Sequence, residues 1–118
     1  ERSEDMLRHL AACFDVTRFL DLRPAMVSAS VRKTFGIMRS LLSNPQILFL
    51  DEPSLGLSEE GQKALKVSLT KYREGSKGDE LLIIASSDKA FVEQFEGDHL
   101  LIENQNLKWI KKVTSSAS

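Results

Sequence analysis

With 118 residues, 42% of them hydrophobic and 28% charged, the chain is sized and composed for one modest domain with a real core, and neither disorder nor a coiled coil is indicated. A formal net charge of -1 gives no global field toward nucleic acid or an anionic membrane. The single cysteine, Cys13, excludes an internal disulfide framework and a cysteine-rich zinc site, and fits a reducing compartment.

No apolar run approaches the roughly 18 residues of a transmembrane helix, and no signal-peptide pattern is visible. The chain opens on charged residues without a methionine, which suggests a fragment or processed form. Residues 3–14 predict a helix with Met6, Leu7, Leu10 and Phe14 on one stripe, Ser3 as N-cap, and Glu4 and Asp5 in the first turn. A short helical turn through Phe19 and Leu20 follows, and Pro24 marks a loop. A longer helix is expected over about 29–43, with Val31, Phe35, Met38, Leu41 and Leu42 at helical spacing and Ser28 or Ser30 as cap. Asn44-Pro45 ends it.

Ile47-Leu48-Phe49-Leu50 is an unbroken apolar run, expected as a strand buried on both faces in a parallel sheet. Asp51-Glu52-Pro53 stands at its carboxyl end, and residues 54–57 form a loop. Ser58 caps the next helix, with Glu59 and Glu60 at its positive end, Leu65, Leu69 and Tyr72 inward, and Gly75 and Gly78 closing it. Leu81–Ala85 is a second apolar run, expected as another buried strand, followed by Ser86-Ser87-Asp88. A short helix at about 88–95 precedes strands at about 99–103 and 107–111 that read as a hairpin. The order predicts an α/β fold: a parallel sheet with a hairpin at its edge, and a frayed tail over 113–118.

Ligands of open α/β sheets bind outside the carboxyl ends of the strands. Asp51 and Glu52 stand there. One acid can hold a metal, and its neighbour can orient or deprotonate a water; an acidic turn after a core strand is the plainer alternative. A helix before this strand and an apolar strand after it suggest a Walker B element, in which Asp51 holds Mg²⁺ and Glu52 polarises the attacking water. The Gly-rich loop ending in Gly-Lys-Ser/Thr that such a site needs is missing from this sequence; Gly36 and Gly61, for example, sit in helices.

Residues 36–57, Gly-Ile-Met-Arg-Ser-Leu-Leu-Ser-Asn-Pro-Gln-Ile-Leu-Phe-Leu-Asp-Glu-Pro-Ser-Leu-Gly-Leu, resemble the signature helix, Walker B strand and D-loop of an ABC-type ATPase cassette. The resemblance covers roughly residues 3–111. It implies the C-terminal half of a RecA-like P-loop NTPase core (31–112) with part of the helical subdomain (1–30). By resemblance Asp51 is the magnesium ligand, Glu52 the catalytic glutamate, and Ser54, Leu55, Gly56, Leu57 and Ser58 the D-loop that reaches the other subunit's site. Ser58 stands where the family often has aspartate, and service as a helix N-cap alone is the plainer reading.

Two departures from the family pattern bear on turnover. The signature loop aligns with Val27-Ser28-Ala29-Ser30-Val31: Ser28 is kept to meet the γ-phosphate of the partner's ATP, while Ala29 and Ser30 replace glycines and each adds a Cβ. Ser87 takes the switch-histidine place, with a hydroxyl shorter than imidazole, and neither His9 nor His99 is placed to replace it. Arg32, Lys33 and Arg39 read as a solvated or ion-paired face. Cys13 reads as a small core residue with no histidine paired to it, Trp109 as packing for the hairpin, and Lys108, Lys111 and Lys112 as charges that keep an edge strand soluble.

The resemblance implies an ATP-binding and ATP-hydrolysing subunit of an ABC transporter. Its cofactors are ATP and Mg²⁺. Its partners are a second cassette and transmembrane permease subunits, without nucleic acid, on the cytoplasmic face of the membrane. A non-hydrolysing regulatory cassette is the alternative, and an SMC-like DNA-maintenance ATPase lobe a lower one. Without its Walker A loop this stretch alone is expected to be inactive.

Overall fold

The computed structural model of the chain describes residues 2–75 and 77–113, with side chains through residue 110. Of the expected tail over 113–118, Val113 instead ends a strand, and residues 114–118 lie outside the described residues. The chain divides into two units, Glu1–Ala85 and Ser86–Ser118. The first holds α1 (Arg2–Cys13), two 3-10 turns (Thr17–Phe19 and Pro24–Met26), α2 (Ala29–Leu42), β1 (Ile47–Asp51), α3 (Glu59–Glu74) and β2 (Leu81–Ala85). The second holds α4 (Lys89–Val92), β3 (Gly97–Glu103) and β4 (Asn106–Val113).

Local chemistry explains where the helices of the first unit start and stop. Ser28 is extended (φ -67, ψ 161), and its hydroxyl accepts from the Val31 amide at 3.2 Å, capping α2. Asn44, at φ 44, turns the chain out of that helix before Pro45. Ser58 caps α3 in the same way, accepting from the Gly61 amide at 3.0 Å, with Glu59 and Glu60 in the first turn and Lys71 and Arg73 in the last. Gly61 sits in tight space: a Cβ there would meet the Ser58 hydroxyl at 3.2 Å and Leu57 Cβ at 3.4 Å, so the capping hydroxyl would have to give way by a few tenths of an ångström. α1 begins before Ser3, so Ser3 is a helical residue and not the expected cap, which must lie outside helical geometry.

The core forms where α1, α2 and α3 meet one another and β1. Ala11, Phe14, Ile37, Met38, Leu48, Leu50, Leu65 and Leu69 are buried there, each large side chain contributing about 1.5–3 kcal/mol of transfer free energy. The inner stripe of α2 runs through Thr34, Ile37 and Met38, and Thr34 satisfies its hydroxyl by donating to the Ser30 carbonyl at 2.9 Å. On α1, Ala11 is inward and Cys13 exposed, with its Sγ 3.7 Å from His9 Nε2. Cys13 is therefore not a core residue, and a histidine one turn away does approach it. Tyr72 ties α3 to the start of the strand, its hydroxyl donating to the Pro45 carbonyl at 2.7 Å.

β1 and β2 pair in parallel, with Leu48 opposite Leu82 and Asp51 opposite Ala85. Neither strand is buried on both faces. In β1, Leu48 and Leu50 are 3% and 6% exposed, whereas Ile47 and Phe49 are 63% and 59% exposed. In β2, Leu81 and Ile83 are likewise exposed. An unbroken apolar run permits burial of both faces, but burial needs a covering element, and among the described residues the side carrying Leu48 and Leu50 is the covered one.

In the second unit Asp88 caps the short α4, accepting from the Phe91 amide at 3.0 Å, and Phe91 meets Phe95 edge to face at 5.1 Å. β3 and β4 form an antiparallel hairpin, Leu100 opposite Trp109 and Ile102 opposite Leu107. Among the described residues β3 and β4 are a two-stranded sheet of their own, and not the expected edge of the β1–β2 sheet. Asn104 and Gln105, both at positive φ (50 and 64), make its tight turn. Trp109 is exposed, not packed into the hairpin as expected; the side chains of Lys111 and Lys112 lie outside the described ones.

Candidate functional site

The site is built at the carboxyl end of β1. Asp51 is the last strand residue, and its side chain is exposed. Glu52 extends the ladder by one bond, its amide donating to the Ala85 carbonyl at 2.7 Å. Its backbone then turns into the left-handed region (φ 47), which non-glycine residues occupy only where the surroundings hold them. The Glu52 side chain is half-buried, and its Oε2 is screened from solvent. Two neighbouring carboxyl groups thus differ in environment, one wet and one sheltered.

The loop beyond folds back on itself. The Leu55 amide donates to the Glu52 carbonyl at 3.3 Å and the Leu57 amide to the Ser54 carbonyl at 3.4 Å. Pro53, Ser54 and Leu57 are buried, while Leu55, Gly56 and Ser58 are exposed. Gly56 sits at φ 75, where a side chain would be strained. Ser58 serves as the α3 cap.

The start of α2 is joined to this loop. The Ser30 hydroxyl donates to the Gly56 carbonyl, and the Lys33 ammonium donates to the carbonyls of both Glu52 and Leu55. Arg32 reaches the other way, donating to the carbonyls of Pro24 at 3.1 Å and Val27 at 2.9 Å. Arg32 and Arg39 are exposed, as expected of a solvated face, although Arg32 also donates to main-chain carbonyls; half-buried Lys33 departs from the expectation, its ammonium satisfying main-chain carbonyls. Ser28 and Ala29 stand exposed at the helix start.

The structure therefore brings together Ser30, Glu52, Leu55 and Gly56 in one unit. Ser87 belongs to the second unit, where it is exposed beside Ser86, whose hydroxyl accepts from the Asp88 amide at 3.0 Å. His99 is also in that unit, its Nε2 3.2 Å from the Phe95 carbonyl. Sequence reasoning missed the roles of Ser30 and Lys33 toward the loop. The available signal was their i, i+3 spacing, which puts both on one side of α2.

Among the described residues no group of three or more His, Cys, Asp or Glu is arranged to hold a metal by itself. The donor chemistry fits a cation of a different habit. Mg²⁺ keeps several waters and takes one or two carboxylates plus substrate phosphate oxygens, so an exposed aspartate at a strand end suffices. Among the same residues no helix is long and apolar enough to cross a membrane.

The first unit thus sets an acidic strand end beside the N-terminal turn of a capped helix. No protein-family model matches the chain. It is 28% identical over 108 residues to a protein of Caldanaerobacter subterraneus subsp. tengcongensis named as an ABC transporter ATP-binding protein, covering 92% of this chain and 43% of that one. A protein of the same description from Methanosarcina acetivorans is 36% identical over 80 residues, 68% of this chain and 28% of its own length. An energy-coupling factor transporter ATP-binding protein of Leuconostoc mesenteroides is 31% identical over 104 residues, 79% of this chain and 36% of its own. The chain is thus a homologue of ABC transporter ATP-binding proteins, matching their C-terminal part. It spans less than half the length of the relatives it matches.

Proposed function

We propose that the chain supplies the C-terminal half of a RecA-like ABC ATPase core, with part of the helical subdomain over residues 1–30 and the core half over 31–112. The intact protein binds and hydrolyses ATP as the energy-coupling subunit of a transporter. The observation that carries this reading is Glu52: a half-buried carboxylate held in the left-handed region at the end of a parallel strand, next to an exposed aspartate.

Each residue takes a role that its environment suits. Asp51, in water, holds Mg²⁺, which when bound neutralises charge on the phosphates. Glu52, sheltered from bulk solvent, accepts a hydrogen bond from the attacking water and orients it toward the γ-phosphate. Ser28 and the amides of Ala29 and Ser30 offer donors at a helix N-terminus, which favours an anion: the ATP held by a partner cassette. In the loop Ser54–Ser58, the exposed Leu55, Gly56 and Ser58 face that partner, while Ser54 and Leu57 hold the loop from inside. Ser87 donates a single neutral hydrogen bond at the switch position. Permease subunits on the cytoplasmic face of a membrane are the partners that closure of the cassette pair moves.

A second reading is a cassette that binds ATP and turns it over poorly. It is favoured by the side chains of Ala29 and Ser30, where the family pattern has glycine, and by Ser87 in place of imidazole. ATPase turnover of the intact protein beside its Glu52→Gln variant separates the two readings. A loss of about 100-fold or more in the variant supports active hydrolysis. Equal, near-zero rates with retained ATP binding support the second reading, and absence of both binding and turnover overturns both. The 118-residue chain alone is expected to show no magnesium-dependent hydrolysis.

A further inference from the structure

We propose that Lys33 is a positioning residue for Glu52; the inference rests on the role given to Glu52 above. The Lys33 ammonium donates to the carbonyl of Glu52 and to that of Leu55. These two carbonyls are the first and last of a four-residue turn that the Leu55 amide closes onto Glu52 at 3.3 Å. The ammonium therefore spans the turn from outside while the amide closes it from inside. Lysine suits this place: its head carries three donors and no acceptor, and the residue is half-buried.

The consequence concerns the direction of a carboxylate. Glu52 is held at φ 47, a strained conformation for a residue with a Cβ, and strain of this kind persists only when neighbouring bonds over-determine it. On its amino side the holding bond is the Glu52 amide to the Ala85 carbonyl, at 2.7 Å. On its carboxyl side the bonds are those from Leu55 and Lys33. Removing the charged donor takes away the bond shared between the two ends of the turn, and the Leu55 amide bond to the Glu52 carbonyl, at 3.3 Å, is left to close it. The backbone then relaxes, and the carboxylate swings with it. Ser30, one turn before Lys33, holds Gly56 from the same helix, so the loop is fixed at three carbonyls by two side chains of α2.

The test uses the intact protein with Lys33→Met, which keeps the stem and deletes the charge, and Lys33→Arg, which keeps both charge and donors. Two readouts are taken on each: steady-state ATP hydrolysis, and amide hydrogen exchange over residues 52–57. Lys33→Met is expected to lower kcat by about 10- to 100-fold, the scale of a misplacement near 1 Å. KM for ATP stays within about 2-fold, because Lys33 acts on the orientation of Glu52 and not on uniform binding. Amides of residues 52–57 exchange faster while those of α2 keep their protection. Lys33→Arg recovers most of both effects.

Wild-type kcat in Lys33→Met overturns the proposal, as does a lowered kcat with unchanged exchange over 52–57. Failure of the underlying reading looks different. If wild type and Glu52→Gln hydrolyse ATP equally, the catalytic assignment of Glu52 falls. The exchange of residues 52–57 in Lys33→Met then decides by itself whether Lys33 holds the turn.

Discussion

The hydroxyl of Ser30 donates to the main-chain carbonyl of Gly56, so the first turn of α2 is bonded to the loop that follows β1, across 26 positions of sequence. Ser30→Ala removes the donor and leaves a carbonyl with one fewer partner. The expected loss of stability is about 0.5–1.5 kcal/mol, read as a lowered urea midpoint with an unchanged slope. Ser30→Gly restores the glycine of the related motif, yet is expected to be the less stable of the two, because glycine adds backbone entropy to the same lost bond.

Ser58 separates a cap from a ligand-binding role. Its Oγ accepts from the Gly61 amide at 3.0 Å at the start of α3. Ser58→Ala is expected to cost about 1 kcal/mol, and Ser58→Asp to retain stability, since both serine and aspartate are strong caps. Thermal melts of the two variants give the comparison; equal losses in both would refute the cap as the main role.

The two faces of α3 predict opposite outcomes for similar deletions. Leu65 is fully buried and Val67 is exposed. Leu65→Ala is expected to cost about 2–5 kcal/mol by creating a cavity, and Val67→Ala less than about 0.5 kcal/mol. Chemical denaturation of both variants against the parent measures the difference.

Tyr72 adds a pH dependence to stability on the alkaline side. Its loss of water contact, and then the Glu80 carboxylate, raise the phenol pKa above 10.0. The unfolded chain therefore releases this proton first. Stability contributed by the neutral phenol is complete below the unfolded pKa and falls as pH rises above it, until the folded phenol also ionises. Tyr72→Phe removes that titration and flattens the decline above pH 10, while costing about 1 kcal/mol at pH 7 through the lost bond to Pro45. Midpoint temperatures of both proteins from pH 7 to 11 display the crossover of slopes.

What was legible in the sequence were features with a local cause. Ser28 and Ser58 announce helix starts because a cap acts within three residues. Asp51 and Glu52 announce a strand end because the apolar run stops there. The exposure of Ile47 and Phe49 was not legible, since apolarity records tolerance of burial and not the presence of a cover. The bonds from Lys33 to Glu52 and Leu55 were not legible either. They join a side chain to carbonyls 19 and 22 positions away, and a main-chain acceptor leaves no trace in residue type. Cys13 was misplaced for a simpler reason: Ala11 and Phe14 fill the inward positions at the end of α1.

The parallel pairing of β1 with β2 predicts an order in which the elements form. Asp51 meets Ala85 only after α3 has carried the chain across, a long closure that must precede any reward from the pairing. The turn at Asn104 and Gln105, by contrast, lets β3 and β4 meet within microseconds. The second unit is therefore expected to form early. The half-site at Glu52 is expected among the last features to mature, since its amide waits for the Ala85 carbonyl to arrive.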